Sequence, residues 1–145
     1  MRVVGIDLGT RRVGVAVSDD QGRLATAHAV LERTGDDDGD RRRLASVVSA
    51  LGAGEVVVGL PLSLDGTPGP AARWAAAEAR ALSRVLDLPL HLHDERLSTV
   101  TASRRPGSVG TGRRRPTTAR QRKPVDATAA AVMLQSWLDA RTESL

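Results

Sequence analysis

A chain of 145 residues, 41% hydrophobic and 26% charged, is long enough for one domain with a core of its own. It has no cysteine, which excludes a disulfide scaffold, a zinc–thiolate site and a cysteine nucleophile. The net charge is only +4. The pI of 11.1 reflects a chain with a single lysine and no tyrosine, in which almost nothing titrates between histidine and arginine.

Residues 2–8 read as a strand, and Met1 leads straight into it rather than into a signal peptide. A turn at Gly9-Thr10-Arg11-Arg12 leads to a second strand over 13–18, with Val13, Val15 and Val17 on one face. Asp19-Asp20-Gln21-Gly22 is a hairpin turn, and Leu24 to Leu31 makes a third strand. Strands this closely spaced must be antiparallel, because parallel neighbours need a long crossover. The acidic run Asp36-Asp37-Asp38-Gly39-Asp40 reads as a solvated loop ending in the N-cap of a helix. That helix carries Leu44, Val47, Val48 and Leu51 and stops near Gly52–Gly54.

Glu55 to Leu60 is an almost wholly apolar strand, as expected when both faces are covered. A Gly/Pro-rich loop runs through Pro70, an alanine-rich helix spans about 71–86, and Pro89 to Asp94 forms a fifth strand. Pro124 opens a last helix through about residue 140, with Ala127, Ala130, Leu134 and Leu138 in one apolar stripe. A meander followed by βαβ crossovers predicts an α/β fold with a mixed five-stranded sheet and helices on its faces. Its strands are an antiparallel β1-β2-β3 and a parallel β4 and β5. No apolar run approaches the roughly 18 residues of a membrane span, so a cytoplasmic location is expected.

The segment 103–123 is rich in Arg, Gly, Pro, Ser and Thr and lacks apolar periodicity, so it is expected to be mobile within the single domain 1–145. All the positive bias sits there. Arg104, Arg105, Arg113, Arg114, Arg115, Arg120, Arg122 and Lys123 fall between 104 and 123 without one acid. The remainder of the chain carries 13 bases against 17 acids. Trp74 and Trp137, each on a helix, read as core rather than as base-stacking platforms, and His91 and His93 as partly exposed strand residues. Arg11 and Arg12 sit where a phosphate could be reached, although an ordinary solvated turn explains them equally well.

Three acids stand out by placement. Asp7 lies on an otherwise apolar strand, Glu95 just past the carboxyl end of the fifth strand, and Asp126 in the first turn of the last helix. Asp126 could simply complement the helix dipole and Glu95 could pair with Arg96, whereas a carboxylate within a buried strand needs a partner or a cation. Sites in open α/β sheets lie beyond the carboxyl ends of strands, where all three could converge. Three carboxylates in one cleft repel unless divalent cations neutralise them, and an all-oxygen set suits Mg²⁺ or Mn²⁺. Two such ions about 3.5–4 Å apart can activate water and stabilise the leaving oxygen of a phosphodiester. The arginine-rich segment would supply phosphate contacts.

Four motifs then match a known family in order. They are Gly5-Ile-Asp7-Leu-Gly9-Thr-Arg11-Arg12-Val-Gly14-Val-Ala16; Gly59-Leu-Pro61 with Asp65-Gly66-Thr67-Pro-Gly69-Pro70; Asp94-Glu95-Arg96-Leu-Ser98-Thr99; and Asp126 with Ala129-Ala130 and Leu134-Gln135-Ser-Trp-Leu138. Over nearly its whole length the sequence resembles the YqgF/RuvX family of Holliday junction resolvases and pre-16S rRNA nucleases. The resemblance implies an RNase H-like fold and a metal-dependent endonuclease. It also implies Asp7, Glu95 and Asp126 as catalytic, Mg²⁺- or Mn²⁺-binding acids, and 5′-end processing of pre-16S rRNA in ribosome biogenesis. Phosphate contacts would come from Arg11, Arg12, Arg96, Arg113, Arg114, Arg115, Arg120, Arg122 and Lys123.

One stretch departs from the pattern. Where the family has a regular helix after Asp-Glu-Arg, Pro106-Gly107, Gly110, Gly112 and Pro116 forbid one here. The first motif also resembles the phosphate loop of actin-like kinases, but those pair two such domains and this chain has length for one. Two alternatives remain at this stage. One is cleavage of four-way DNA junctions, which calls for a homodimer rather than a monomer. The other is a non-catalytic RNA- or ribosome-binding protein.

Overall fold

A computed structural model of the chain describes residues 1–61, 69–94 and 127–144. Strands β1 (Val3–Leu8), β2 (Arg12–Ser18) and β3 (Ala25–Glu32) form the expected antiparallel meander, and β4 (Glu55–Leu60) and β5 (Leu90–Asp94) join parallel to β1. The order across the sheet is β3-β2-β1-β4-β5. The β2–β3 turn closes on the Asp19 carboxylate, which accepts the backbone N–H groups of Arg23 and Leu24 at 2.8 and 3.3 Å. Gly22 there has φ +69°, a conformation that costs glycine nothing.

Helix α1 (Asp37–Ala50) begins inside the acidic run. Asp36 is its N-cap, accepting the Gly39 N–H at 3.1 Å, and Asp37, Asp38 and Asp40 lie in the first turn, at the positive end of the helix dipole. Most of the run expected as loop is therefore helix. Pro70 occupies the first turn of α2 (Pro70–Leu86), where its missing N–H costs nothing, and α3 (Ala127–Ser144) continues four residues past the expected end.

The two faces of the sheet are covered differently. Val4, Ile6, Val13, Val15, Val56 and Val58 point toward α1 and α2, meeting Leu44, Val48, Ala79 and Leu82. Val3, Ala16 and Val57 point the other way, onto Ala130, Met133, Leu134 and Leu138 of α3. Strand β4 lies between both layers, and that is why its sequence is apolar beyond Glu55. Helix α3 approaches β1 so closely that a β-carbon on Gly5 would lie 2.8 Å from the Leu134 Cβ.

Candidate active site

Strands β1, β4 and β5 run in the same direction, so their carboxyl ends share one edge of the sheet. Helix α3 runs against them. Arg141, near its end, meets Glu55 at the start of β4, while Ala130 and Leu134 lie over Gly5 in the middle of β1. The first residue of α3, Ala127, therefore faces the same edge that β1, β4 and β5 reach.

Asp7 sits at that edge, half-buried and paired across the ladder with Gly14. Alternation places it on the face of Val3 and Gly5, beneath α3. The β1–β4 register, carried one residue on from Ile6 opposite Val58, sets Asp7 level with Gly59, which is in turn level with His93. No side chain stands between Asp7 and His93 at this level, and two strand spacings separate their backbones by roughly 10 Å.

His93 is only 8% exposed, and its Nε2 lies 3.1 Å from the Ser136 hydroxyl on α3. Burial holds its pKa below the ordinary histidine value, against the opposing pull of Asp94, and the ring is engaged with α3. Alternation puts Asp94 with Leu90 on the α1–α2 face, so among the described residues the oxygen donor at this edge on the α3 face is the Asp7 carboxylate. That donor chemistry fits Mg²⁺ or Mn²⁺ and not a soft metal. Among the described residues no group of three or more His, Cys, Asp or Glu side chains gathers as a metal cage.

The other residues expected at the site are Glu95, Arg96, Arg113, Arg114, Arg115, Arg120, Arg122, Lys123 and Asp126. All of them, with the 103–123 segment, lie outside the described residues. Asp94 and Ala127, the chain neighbours of Glu95 and Asp126, are described. Arg11 is exposed on the β1–β2 turn, and Arg12 pairs with Glu32 at 3.2 Å.

Beneath this turn lies a network that sequence reasoning missed. The Arg33 backbone N–H donates to the Arg11 carbonyl at 2.8 Å and its Nε to the Gly9 carbonyl at 2.9 Å. Its guanidinium lies over the Trp74 ring, 5.1 Å from the centroid, and 3.8 Å from the Glu78 carboxylate. Glu78 also takes two hydrogen bonds from Arg41, at 2.9 and 3.0 Å, and that bonding raises the Arg41 pKa above its ordinary value. One signal for it was in the sequence: Glu78 interrupts the apolar stripe Ala72, Ala75, Ala79, Leu82, and a carboxylate there needs a cation.

His91 is the partly exposed strand residue expected, whereas His93 and Trp74 differ from expectation. His93 is buried, and His91 bonds Glu55 at 3.0 Å while stacking on Trp137. Trp74, expected in the core, is 37% exposed, with the Arg33 guanidinium over its ring. Arg141 grips Glu55 from α3 at 2.7 and 3.3 Å and covers the Trp137 ring. Burial raises the Glu55 pKa, but its bonds from Arg141 and His91 outweigh this and hold it below the usual carboxylate value.

A family model described as "RuvX: Holliday junction resolvase" matches residues 1–140. A Mycobacterium sp. (strain KMS) protein named "Putative pre-16S rRNA nuclease" is 45% identical over 145 residues, covering 99% of this chain and 83% of its own. A protein of the same name from Anaeromyxobacter dehalogenans (strain 2CP-C) is 44% identical over 141 residues, covering 97% and 98%. Among solved structures, T. thermophilus RuvC in complex with Holliday junction substrate superposes with a TM-score of 0.63 at 14% identity, covering 99% of this chain and 97% of that one. That likeness bears on the fold, which is RNase H-like. Among the described residues no helix is long and apolar enough to cross a membrane.

Proposed function

Since the chain belongs to the RuvX family of Holliday junction resolvases, we propose that it is a divalent-metal-dependent endonuclease that processes the 5′ end of pre-16S rRNA in the cytoplasm. The observation that carries the reading is Asp7, a half-buried carboxylate at the one sheet edge to which β1, β5 and the start of α3 all run. Asp7, Glu95 and Asp126 would hold Mg²⁺ or Mn²⁺. The ions would supply an acidified water and neutralise charge developing on the phosphate.

The chain's own residues do the rest. The backbone of Asp7 is held by the ladder to Gly14, which fixes where on the sheet its carboxylate starts. His93 ties β5 to α3 through Ser136. Arg11, Arg12, Arg96 and the basic residues of 113–123 would grip the nucleic-acid backbone without reading its bases.

Names of the relatives favour ribosomal RNA, and the description of the family favours a second substrate, the four-way DNA junction. Purified protein is assayed on labelled precursor rRNA and on a junction in parallel, with Mg²⁺, Mn²⁺ or chelator, beside Asp7→Asn. Metal-dependent cutting that disappears in Asp7→Asn, with nucleic-acid binding intact, is the expected result. Paired symmetric nicks in the junction and a dimer in solution would favour the DNA substrate. Wild-type cutting by Asp7→Asn would falsify the site.

A further inference from the structure

Arg33 lies far from the sheet edge in sequence but holds the turn that ends β1 at two points. Its backbone N–H binds the Arg11 carbonyl and its Nε the Gly9 carbonyl, while Gly9 and Arg12 close the turn between themselves at 2.9 Å. Gly9 follows Asp7 by two residues. The guanidinium that reaches it is 11% exposed and is itself held from the far side, by the Trp74 face and the Glu78 carboxylate of α2. Glu78 is fixed in turn by two bonds from Arg41 of α1.

We propose that Arg33 is a positioning residue for the candidate metal site: it suspends the Gly9–Arg12 turn, and with it the carboxyl end of β1 that carries Asp7, from Glu78 and Trp74. The inference rests on the reading of Asp7 as a metal-binding acid and adds the residue that sets its place. Stability alone is a poor reason for such a cluster. Two guanidinium groups and a carboxylate with little exposure lose more hydration than an apolar packing of the same volume would, so their return is in fixed geometry.

Arginine alone suits the position, because one planar group must donate to Gly9, face Glu78 and lie flat on an indole. An ammonium can take only one of these partners at full strength. The network holds the turn from the α1–α2 side, whereas Asp7 shares the α3 face, so Arg33 acts on Asp7 through the backbone and not as a ligand.

The test compares Arg33→Met, Arg33→Lys, Glu78→Gln and Asp7→Asn in the full chain. Mn²⁺ binding is followed by calorimetry, Mn²⁺ dependence of cleavage by half-saturation, and folding by circular dichroism. Loss of an outer partner of a metal ligand typically costs 10- to 100-fold in affinity or activity. Arg33→Met should therefore stay folded, bind Mn²⁺ about 10-fold or more weakly and need correspondingly more Mn²⁺ for half-maximal cutting. Arg33→Lys should recover part of that loss. Glu78→Gln, which loosens the anchor without touching the turn, should shift both readings in the same direction by less, and it decides the matter if Arg33→Met does not fold.

A folded Arg33→Met with wild-type Mn²⁺ affinity and half-saturation overturns the proposal, as does a folded Glu78→Gln that leaves both unchanged when Arg33→Met is unfolded. If Asp7→Asn loses Mn²⁺ binding and cleavage while Arg33→Met keeps both, only the role of Arg33 falls. If Asp7→Asn itself binds and cuts like wild type, the reading of Asp7 falls and takes this inference with it.

Discussion

Glu55 shows how a single side chain ties the last helix to the sheet. It stands at the amino end of β4, the end away from Asp7, and takes a forked pair of bonds from Arg141 and one from His91. Because its pKa is depressed in the folded state, the ionised form is bound more tightly there than in the unfolded chain. The stabilisation is thus complete above the ordinary value of 4.5 and is lost as pH falls through the lower folded value. Glu55→Gln should lower stability at pH 7 by about 2 kcal/mol, the usual worth of hydrogen bonds to a charged group. The difference from wild type should shrink toward zero as the pH drops well below 4.5. Urea midpoints of the two proteins, measured at pH 7 and again in acid, check it, and a gap that stays constant with pH would refute the assignment. The sequence signalled little of this, since Glu55 reads only as the polar start of an apolar strand. Its partners lie 36 and 86 residues away, and pairing at such separations leaves no periodic trace.

At the scale of elements the sequence was far more legible. The alternation of Val13, Val15 and Val17 and the closeness of the first three strands both follow from the period of a pleated strand, so the meander could be read directly. The stripe Ala127, Ala130, Leu134, Leu138 is indeed the buried face of α3. Illegible, by contrast, was how near α3 comes to β1, because approach distance depends on a glycine from one element meeting side chains from another. Gly5 is that glycine. A β-carbon there would sit 2.8 Å from the Leu134 Cβ and 3.4 Å from the Ala130 carbonyl, neither of them the movable end of a long side chain. Gly5→Ala should consequently cost about 1–3 kcal/mol by overpacking. It should also lift α3 from the carboxyl edge, so cleavage should fall by more than the loss of folded protein explains. Thermal unfolding run beside single-turnover cutting separates the two effects, and a variant as stable as wild type would mean that α3 has slack at this point.

For the molecule as a whole, charge distribution decides how nucleic acid is met. Away from residues 104–123 the chain carries 13 bases against 17 acids, and a body of that sign repels a phosphate backbone. The proposed site would compound the problem, since Asp7, Glu95 and Asp126 would have to come within reach of a polyanion. The eight bases of 104–123 reverse the balance, and as arginine–phosphate contacts carry no base information their effect should not depend on sequence. Each phosphate contact releases counterions worth a salt slope of about 0.9 on duplex DNA and about 0.7 on single strands. Replacing Arg113, Arg114 and Arg115 together by alanine should therefore weaken binding of RNA and junction DNA alike. The slope of log affinity against log salt should flatten by roughly 2 to 3. Fluorescence anisotropy titrations from low to moderate salt, made with Asp7→Asn so that no substrate is consumed, give both numbers. An unchanged slope would move the phosphate grip to Arg11, Arg12 and Arg96. A flatter slope on one nucleic acid only would mean that the basic segment discriminates between substrates.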